Sequence, residues 1–132
     1  MLSGGCQCGA VRYEVEGEAK HHALCHCADC RASSGTPATA WMAFAAENFG
    51  VTQGEATAYN SSGASWRHFC GRCGTGLYFV NEEMLPGLVD IQSATLDETR
   101  EFAPDAQIQV AERLDYMGNL DAMPSFERYP GP

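Results

Sequence analysis

Positive charge is scarce in this sequence. Its 132 residues contain 8 Lys and Arg against 17 Asp and Glu, which gives a formal net charge of -9. Nucleic acids and anionic membrane surfaces bind proteins through clustered positive charge. We therefore expect neither nucleic acid nor a membrane among the partners of this protein.

Long apolar runs are also missing. The longest uncharged stretch, 32–46, is shorter than the roughly 20 residues of a membrane-spanning helix and contains Ser, Gly, Thr and Pro. Residues 1–9 are polar and carry a cysteine pair where a signal peptide would have an apolar run. We expect a cytoplasmic protein, because a reducing compartment favours metal-binding or catalytic cysteines over disulfides.

Sustained helical periodicity is absent as well. Hydrophobic residues make up 45% of the chain, and 14 Gly separate short segments, which predicts one packed domain over residues 1–132 of the all-β class with short helical turns. The segments 55–60 and 65–69 flank a turn sequence and are predicted to form a hairpin. The other predicted strands are 11–15, 38–44, 77–80, 88–93 and 106–111, and the predicted helical turns are 27–34 and 81–85.

What the sequence does contain is cysteine. There are 7, an odd number, so intrachain disulfides cannot use them all. They form three clusters, which are Cys6 with Cys8, Cys25 with Cys27 and Cys30, and Cys70 with Cys73. Two pairs and one triplet divide naturally into a group of four and a group of three.

The two pairs together provide the four thiolates of a tetrahedral structural zinc site. An extended Cys6-x-Cys8 would place both sulfurs on one face of the chain. Cys70 and Cys73 would be brought together by a tight turn, for which Gly71 and Gly74 supply backbone freedom. We predict that Cys6, Cys8, Cys70 and Cys73 hold one structural zinc ion.

The triplet has the ligand number of a catalytic zinc site. Cys25 and Cys27 have strand spacing, whereas Cys27 and Cys30 are neighbours on one helical turn, so the three sulfurs can face one centre. Backbone N–H groups of that turn would lower the pKa of the thiols. Three protein ligands and an open fourth position are typical of catalytic zinc. We predict that Cys25, Cys27 and Cys30 hold a second, catalytic zinc ion.

Four alternatives to this division exist. Inert buried cysteines would not cluster at ligand spacing. A redox role for Cys70 and Cys73 would call for a βαβ context, which the sequence does not show. An iron–sulfur cluster on the triplet would need a fourth cysteine from one of the pairs. A closed second zinc site would need a histidine ligand, for which the candidates are His21, His22, His26 and His68.

The cysteine motifs match a known family. The matching segments are GCQCGAVRY at 5–13, CHCADCR at 25–31, SSG at 33–35, FCGRCGT at 69–75, and MPSFE and YP within 123–130. The sequence resembles the glutathione-dependent formaldehyde-activating enzyme family, also called the CENP-V/GFA family. The resemblance implies a zinc-binding, Mss4-like β-tent fold, with the pairs as the structural site and the triplet as the catalytic site.

The resemblance also implies an activity. It is a carbon–sulfur lyase activity that forms or cleaves S-(hydroxymethyl)glutathione, with glutathione and formaldehyde as small-molecule partners. A lyase for a different thiol adduct and a non-enzymatic two-zinc binding module are the alternatives.

Substrate binding would need positive charge, because glutathione is an anion and this protein is acidic. Arg31 directly follows the triplet, Arg67 precedes the third cluster, and Arg72 lies within it. Because arginine binds carboxylates through two parallel hydrogen bonds, we predict Arg31 as the substrate-binding residue. The alternative interpretation of Arg31 is a surface arginine or a partner for Asp29.

Overall fold

Strands dominate the fold. The computed structural model describes residues 1–131, and in them ten strands and one α-helix form. The strands are β1 (Leu2–Gly5), β2 (Arg12–Val15), β3 (His21–Cys25), β4 (Thr39–Ala45), β5 (Phe49–Gln53), β6 (Thr57–Ser62), β7 (Ser65–Phe69), β8 (Gly76–Asn81), β9 (Leu88–Gln92) and β10 (Ala106–Ile108), and the helix is α1 (Ala28–Ser34). Short 3₁₀ helices cover Ala46–Asn48, Ser93–Thr95, Thr99–Glu101, Val110–Glu112, Asp115–Gly118 and Leu120–Ala122. The all-β prediction with short helical turns is confirmed.

The strands form two sheets. The smaller sheet has the order β1-β2-β5, and the larger sheet has the order β10-β3-β4-β9-β8-β7-β6. Neighbouring strands are antiparallel except for β10, which pairs parallel to β3 at the edge of the larger sheet. The predicted hairpin is present as β6 and β7, with Thr57 opposite Phe69.

The main core joins the two sheets and reaches the first cysteine group. Tyr13 of β2, Phe44 of β4, Leu77 of β8 and Ile91 of β9 are almost completely buried in it. The same cluster of buried residues includes Cys6 and Cys70. The hydrophobic core therefore extends to the predicted structural metal site.

Three strands were not predicted from the sequence, namely β1, β3 and β5. In β1 the reason is Gly4, since glycine has low strand propensity. A Cβ atom on Gly4 would overlap the Tyr13 ring, and the hydroxyl of that ring lies 2.7 Å from Thr95 Oγ1. Glycine is thus needed at a position where a neighbouring strand's aromatic ring packs against the backbone.

Two predicted elements differ in the structure. The helical turn predicted at 81–85 does not grow into a helix, because Asn81 ends β8 and the chain then makes a single turn in which the Leu85 amide donates to the Asn81 carbonyl at 2.7 Å. The Asn81 side-chain oxygen accepts hydrogen bonds from the amides of Glu83 and Met84, at 3.0 and 2.9 Å. The last predicted strand is shorter than expected, since β10 ends at Ile108 and Gln109 adopts a left-handed φ of 56°.

Within residues 1–131, every helix is too short or too polar to cross a bilayer.

Candidate metal centres

Four cysteine sulfurs meet between the start of the chain and its middle. The Sγ atoms of Cys6, Cys8, Cys70 and Cys73 all lie within 4.8 Å of one another. The Cys6 and Cys8 sulfurs are 3.6 Å apart, and those of Cys8 and Cys70 are 3.8 Å apart. A tetrahedron with Zn–S bonds of about 2.3 Å has S···S edges of about 3.8 Å. The spacing of this group therefore fits a tetrahedral metal ion.

Both pairs lie in hydrogen-bonded turns. After β1, the Gly9 amide donates to the Cys6 carbonyl at 3.1 Å, so the first pair sits in a tight turn and not on the extended chain that we expected. After β7, the Gly74 amide donates to the Cys70 carbonyl at 2.8 Å. Gly9 and Gly74 have positive φ values of 80° and 85°, which only glycine adopts readily. Gly71 has no such φ, and instead its missing Cβ leaves room for Thr57.

Neutral donors surround these four sulfurs. The Val11 amide donates to Cys6 Sγ at 3.2 Å, and the Thr75 hydroxyl lies 3.3 Å from Cys73 Sγ. Hydrogen bonds from the Thr75 side chain and backbone lower the pKa of Cys73 to about 5. Because metals bind the thiolate, these donors favour the form of the sulfur that a metal needs.

The other three cysteines meet where β3 leads into α1. Cys25 ends β3, Cys27 is the N-cap of α1, and Cys30 lies in its first turn. Their sulfurs lie within 4.8 Å of one another, and the Cys30 amide donates to Cys27 Sγ at 3.2 Å. The structure thus brings together the predicted triplet and supplies the predicted backbone N–H contact.

No further protein ligand joins the triplet in the part of the chain that the structure describes. Each histidine has another neighbour. His21 lies 2.9 Å from Asp90, His22 lies 2.7 Å from Ser93, His26 lies 2.9 Å from Gln107, and His68 stacks on Tyr78. The alternative of a second site closed by a histidine is therefore not supported.

The three thiols of the triplet hold their protons unequally. Burial raises the pKa of Cys25, and burial together with the neighbouring Cys27 sulfur raises that of Cys30 to about 12. Burial also acts to raise the pKa of Cys27, but hydrogen bonds from the Cys30 side chain and amide outweigh it and lower that pKa. Three crowded sulfurs become thiolates together only when a cation offsets their charge, so this donor set suits a soft divalent metal ion.

The chain from 106 to 112 lies across the back of the triplet, and we call this segment the strap. In β10, Ile108 pairs with Cys25, and its carbonyl accepts a hydrogen bond from the His26 amide at 3.1 Å. The buried imidazole of His26 lies 2.9 Å from Gln107 Oε1. Further along the strap, a Glu112 carboxylate oxygen accepts from the Ala28 amide at 3.2 Å. The strap therefore contacts the chain on both sides of Cys27.

Arg31 reaches the strap. Its Nη1 donates to the carbonyl oxygen of His26 at 2.9 Å and to that of Glu112 at 2.5 Å. Arg31 does not line the cleft that opens between α1 and strands β6 to β8. The structure thus places this guanidinium behind the triplet, where it connects α1 to the strap.

A cleft of about 590 Å³ opens beside the triplet, between α1 and strands β6 to β8. Its charged lining residues are Asp29 and Arg67, and its aromatic lining residues include Trp41, Tyr59, His68 and Tyr78. Trp41 also packs against the buried cysteines Cys25 and Cys30. The cleft therefore adjoins the three-cysteine group through Trp41, while the three cysteines themselves are not among its lining residues.

Arg67 connects this cleft to the triplet. Its Nη2 donates to Asp29 Oδ2 at 2.8 Å and lies 4.0 Å from Cys30 Sγ. Its guanidinium carbon lies 5.2 Å from the centre of the Phe79 ring. The sequence favours Arg31 over Arg67 as the substrate-binding residue, because Arg31 is adjacent to the triplet in the chain. The only sequence signal for Arg67 is an arginine within a predicted strand that leads to Cys70.

Comparisons with known proteins agree with this arrangement. The family model described as glutathione-dependent formaldehyde-activating enzyme matches residues 1–112, a range that contains all seven cysteines and the strap. A Halomonas elongata protein named for glutathione-dependent formaldehyde activation is 30% identical over 115 residues, which cover 80% of this chain and 71% of that protein. An uncharacterized lyase of Schizosaccharomyces pombe is 36% identical over 79 residues, which cover 58% of this chain and 56% of the lyase.

A solved structure has a similar fold. The crystal structure of a Rhodobacter sphaeroides protein superimposes with a TM-score of 0.64 and 23% sequence identity, over 80% of this chain and 98% of that one. At this level of identity the similarity concerns the fold, and the sequence match carries the family assignment. Because that match spans most of the chain and both cysteine groups, the chain belongs to the glutathione-dependent formaldehyde-activating enzyme family.

Proposed function

We propose that this protein is a zinc-dependent carbon–sulfur lyase that forms or cleaves S-(hydroxymethyl)glutathione. The observation that carries the proposal is a group of three cysteines, with no fourth protein ligand among the described residues, beside a cleft of about 590 Å³. The names of the relatives support the lyase class and the two substrates. The cytoplasm is the proposed location, because all seven cysteines are free thiols in the structure.

The two cysteine groups would have different roles. Cys6, Cys8, Cys70 and Cys73 would hold a structural zinc ion, since four thiolates complete a tetrahedral shell. Cys25, Cys27 and Cys30 would hold the catalytic zinc ion. A zinc ion with one free position binds a thiol and lowers its pKa, which supplies a thiolate near neutral pH.

The proposed reaction adds the glutathione thiol to formaldehyde and requires one proton transfer. The thiol sulfur forms a bond to the formaldehyde carbon, the carbonyl π electrons move to oxygen, and the thiol proton ends on that oxygen. Among the described residues that line the cleft, Asp29 is the one carboxylate, and Arg67 holds it at 2.8 Å. We assign Asp29 the transfer of this proton. The reverse sequence breaks the carbon–sulfur bond and returns both substrates.

The first test is thiol binding at the triplet. In protein loaded with Co²⁺, which occupies similar sulfur sites and absorbs visible light, glutathione is expected to change the thiolate-to-cobalt absorption of the triplet and not that of the four-cysteine group. The response strengthens as pH rises, until thiol deprotonation is complete, because binding as a thiolate releases a proton. Formation of S-(hydroxymethyl)glutathione from ¹³C-formaldehyde, followed by NMR, measures turnover.

The control is S-methylglutathione, whose sulfur cannot become a thiolate and which should change the spectrum far less. A response to other small thiols without a response to glutathione would keep the lyase class and change the substrate. No response to any thiol would contradict the enzyme proposal and favour a two-zinc binding module.

Arg31 remains the predicted substrate-binding residue. Its contacts suggest a second role, which is to connect α1 to the strap. Because its Nη1 donates to carbonyls of His26 and Glu112, we expect Arg31→Gln to lower Tm and to speed metal loss from the triplet. Loss of hydrogen bonds from a charged donor costs about 1.5–3 kcal/mol each. Differential scanning fluorimetry and chelator kinetics measure both effects. A selective rise in KM for glutathione, compared with a thiol that lacks carboxylates, would show that Arg31 also binds substrate.

A further inference from the structure

The burial of Arg67 is not explained by its ion pair. Only 11% of its side chain is exposed, whereas its partner Asp29 is 70% exposed. A pair with one partner in water contributes little to stability, whereas removing a cation from water is costly. The Nε atom of Arg67 is also buried without a hydrogen-bond partner. The guanidinium must therefore gain from another source of negative charge.

The second source of negative charge for the Arg67 guanidinium is the three-cysteine group. Nη2 of Arg67 is 4.0 Å from Cys30 Sγ, and the Cys30 side chain is buried. When the three cysteines hold a divalent cation as thiolates, the group keeps one surplus negative charge, and a thiolate as fourth ligand adds another. In partly buried surroundings this surplus is costly unless a fixed cation stands beside it.

No other lining residue of the adjacent cleft offers a permanent positive charge in the described range 1–131. His68 lines the cleft as well, but burial lowers its pKa. The four-cysteine group differs, because the hydrogen bonds to its sulfurs come from neutral groups, the Val11 amide and the Thr75 hydroxyl. Arg12 is close enough to interact with Cys6, but its side chain is 33% exposed and paired with Asp97. Among residues 1–131, a buried arginine contacts a sulfur only in the group that would take an additional anion.

We propose that Arg67 is a positioning residue that balances the charge of the three-cysteine centre, holds the Cys30 thiolate, and lets the centre accept an anionic thiolate as its fourth ligand. The part concerning the fourth ligand rests on the proposed function. The part concerning the metal does not, because it follows from the contact between Arg67 and Cys30.

The first measurement is metal affinity, made with Co²⁺ and a competing chelator. Arg67→Gln removes the positive charge, and Arg67→Lys keeps the charge but replaces the guanidinium with an ammonium group. Arg100→Gln is the control, because it removes a positive charge from an exposed position. Loss of a residue that supports a metal ligand typically lowers affinity about 10–100-fold. We expect that loss at the triplet of Arg67→Gln, a smaller loss in Arg67→Lys, and none in Arg100→Gln. The absorption of the four-cysteine group should be unchanged in all three, which also shows that they fold.

The second measurement separates charge balance from general structural support. Co²⁺-loaded variants are titrated with 2-mercaptoethanol, a thiol without a carboxylate, and with imidazole, a neutral ligand. Arg67→Gln should bind the thiol at least about tenfold more weakly, in line with the effect of a missing supporting group on metal sites. Its imidazole affinity should match that of the unmodified protein.

Three results would overturn the proposal. Unchanged Co²⁺ affinity in Arg67→Gln would show that the guanidinium does not stabilise the thiolates. Equal losses for thiol and imidazole would indicate a structural role only. A loss for glutathione with none for 2-mercaptoethanol would make Arg67 a carboxylate anchor instead. If the unmodified protein binds no thiol, the proposed function fails, and the Co²⁺ affinity of Arg67→Gln still decides the role of Arg67.

Discussion

Cys70→Ser is expected to leave the protein largely unfolded at temperatures where the unmodified chain is native. Cys70 is 1% exposed, belongs to the main core cluster, and begins the turn that carries Cys73. Structural zinc contributes about 10–16 kcal/mol in small zinc domains, which matches or exceeds the whole stability of about 5–15 kcal/mol of a typical domain. Thermal unfolding followed by circular dichroism, together with zinc content, measures the loss.

The control for this prediction is the metal itself. If the effect of Cys70→Ser acts through the metal, the variant and the unmodified chain should have nearly the same stability once a chelator has removed zinc. A variant with unchanged Tm would show that the group Cys6, Cys8, Cys70 and Cys73 does not hold a structural metal ion. A stability gap that persists in the chelator would assign the effect to packing of the Cys70 side chain.

Cys27→Ser is expected to abolish turnover while the fold remains. Cys27 is partly exposed and packs against a small cluster, formed by Cys25, Cys30 and Trp41, that is separate from the main core. The variant should lose about one zinc ion of two, since a three-ligand site that loses one thiolate no longer holds its metal well. Metal analysis, Tm and the formaldehyde assay test this together.

Ala28→Ser is the matched control, because residue 28 follows Cys27, is exposed, and offers no ligand in the native chain. It should keep both metal ions and full turnover. If Cys27→Ser unfolds as severely as Cys70→Ser, the division into a structural group of four and a functional group of three is wrong.

The cysteine groups could be predicted because their signals are local. The three-residue spacing of Cys70 and Cys73 predicts a turn, which Gly74 closes. The two-residue spacing of Cys6 and Cys8 predicts neighbouring sulfurs, but a turn that Gly9 closes brings them together instead of the extended chain that we expected. The β6–β7 hairpin was predicted for the same reason, since turn residues separate two strand segments. Local rules do not reach β1, whose Gly4 is justified only by the Tyr13 ring on the next strand.

The roles of the arginines could not be ranked from the sequence. Arg31 is one residue from the triplet in the chain, but its side chain turns to the strap. Arg67 is 37 residues from Cys30 in the chain, and the pairing of β6, β7 and β8 brings it to the sulfur. Such long-range contacts depend on sheet topology, which spacing alone does not specify.

The strap is synthesised after every cysteine of both groups. Contacts between the strap and the loop of the triplet join residues 81 to 84 positions apart. During synthesis, Cys25, Cys27 and Cys30 therefore leave the ribosome long before Gln107 and Glu112, whereas the last ligand of the four-cysteine group, Cys73, precedes the strap. All four sulfurs of the four-cysteine group are thus synthesised before the residues of the strap that contact His26, Ala28 and Arg31. Those contacts can form only after the other cysteine group has all its candidate metal ligands.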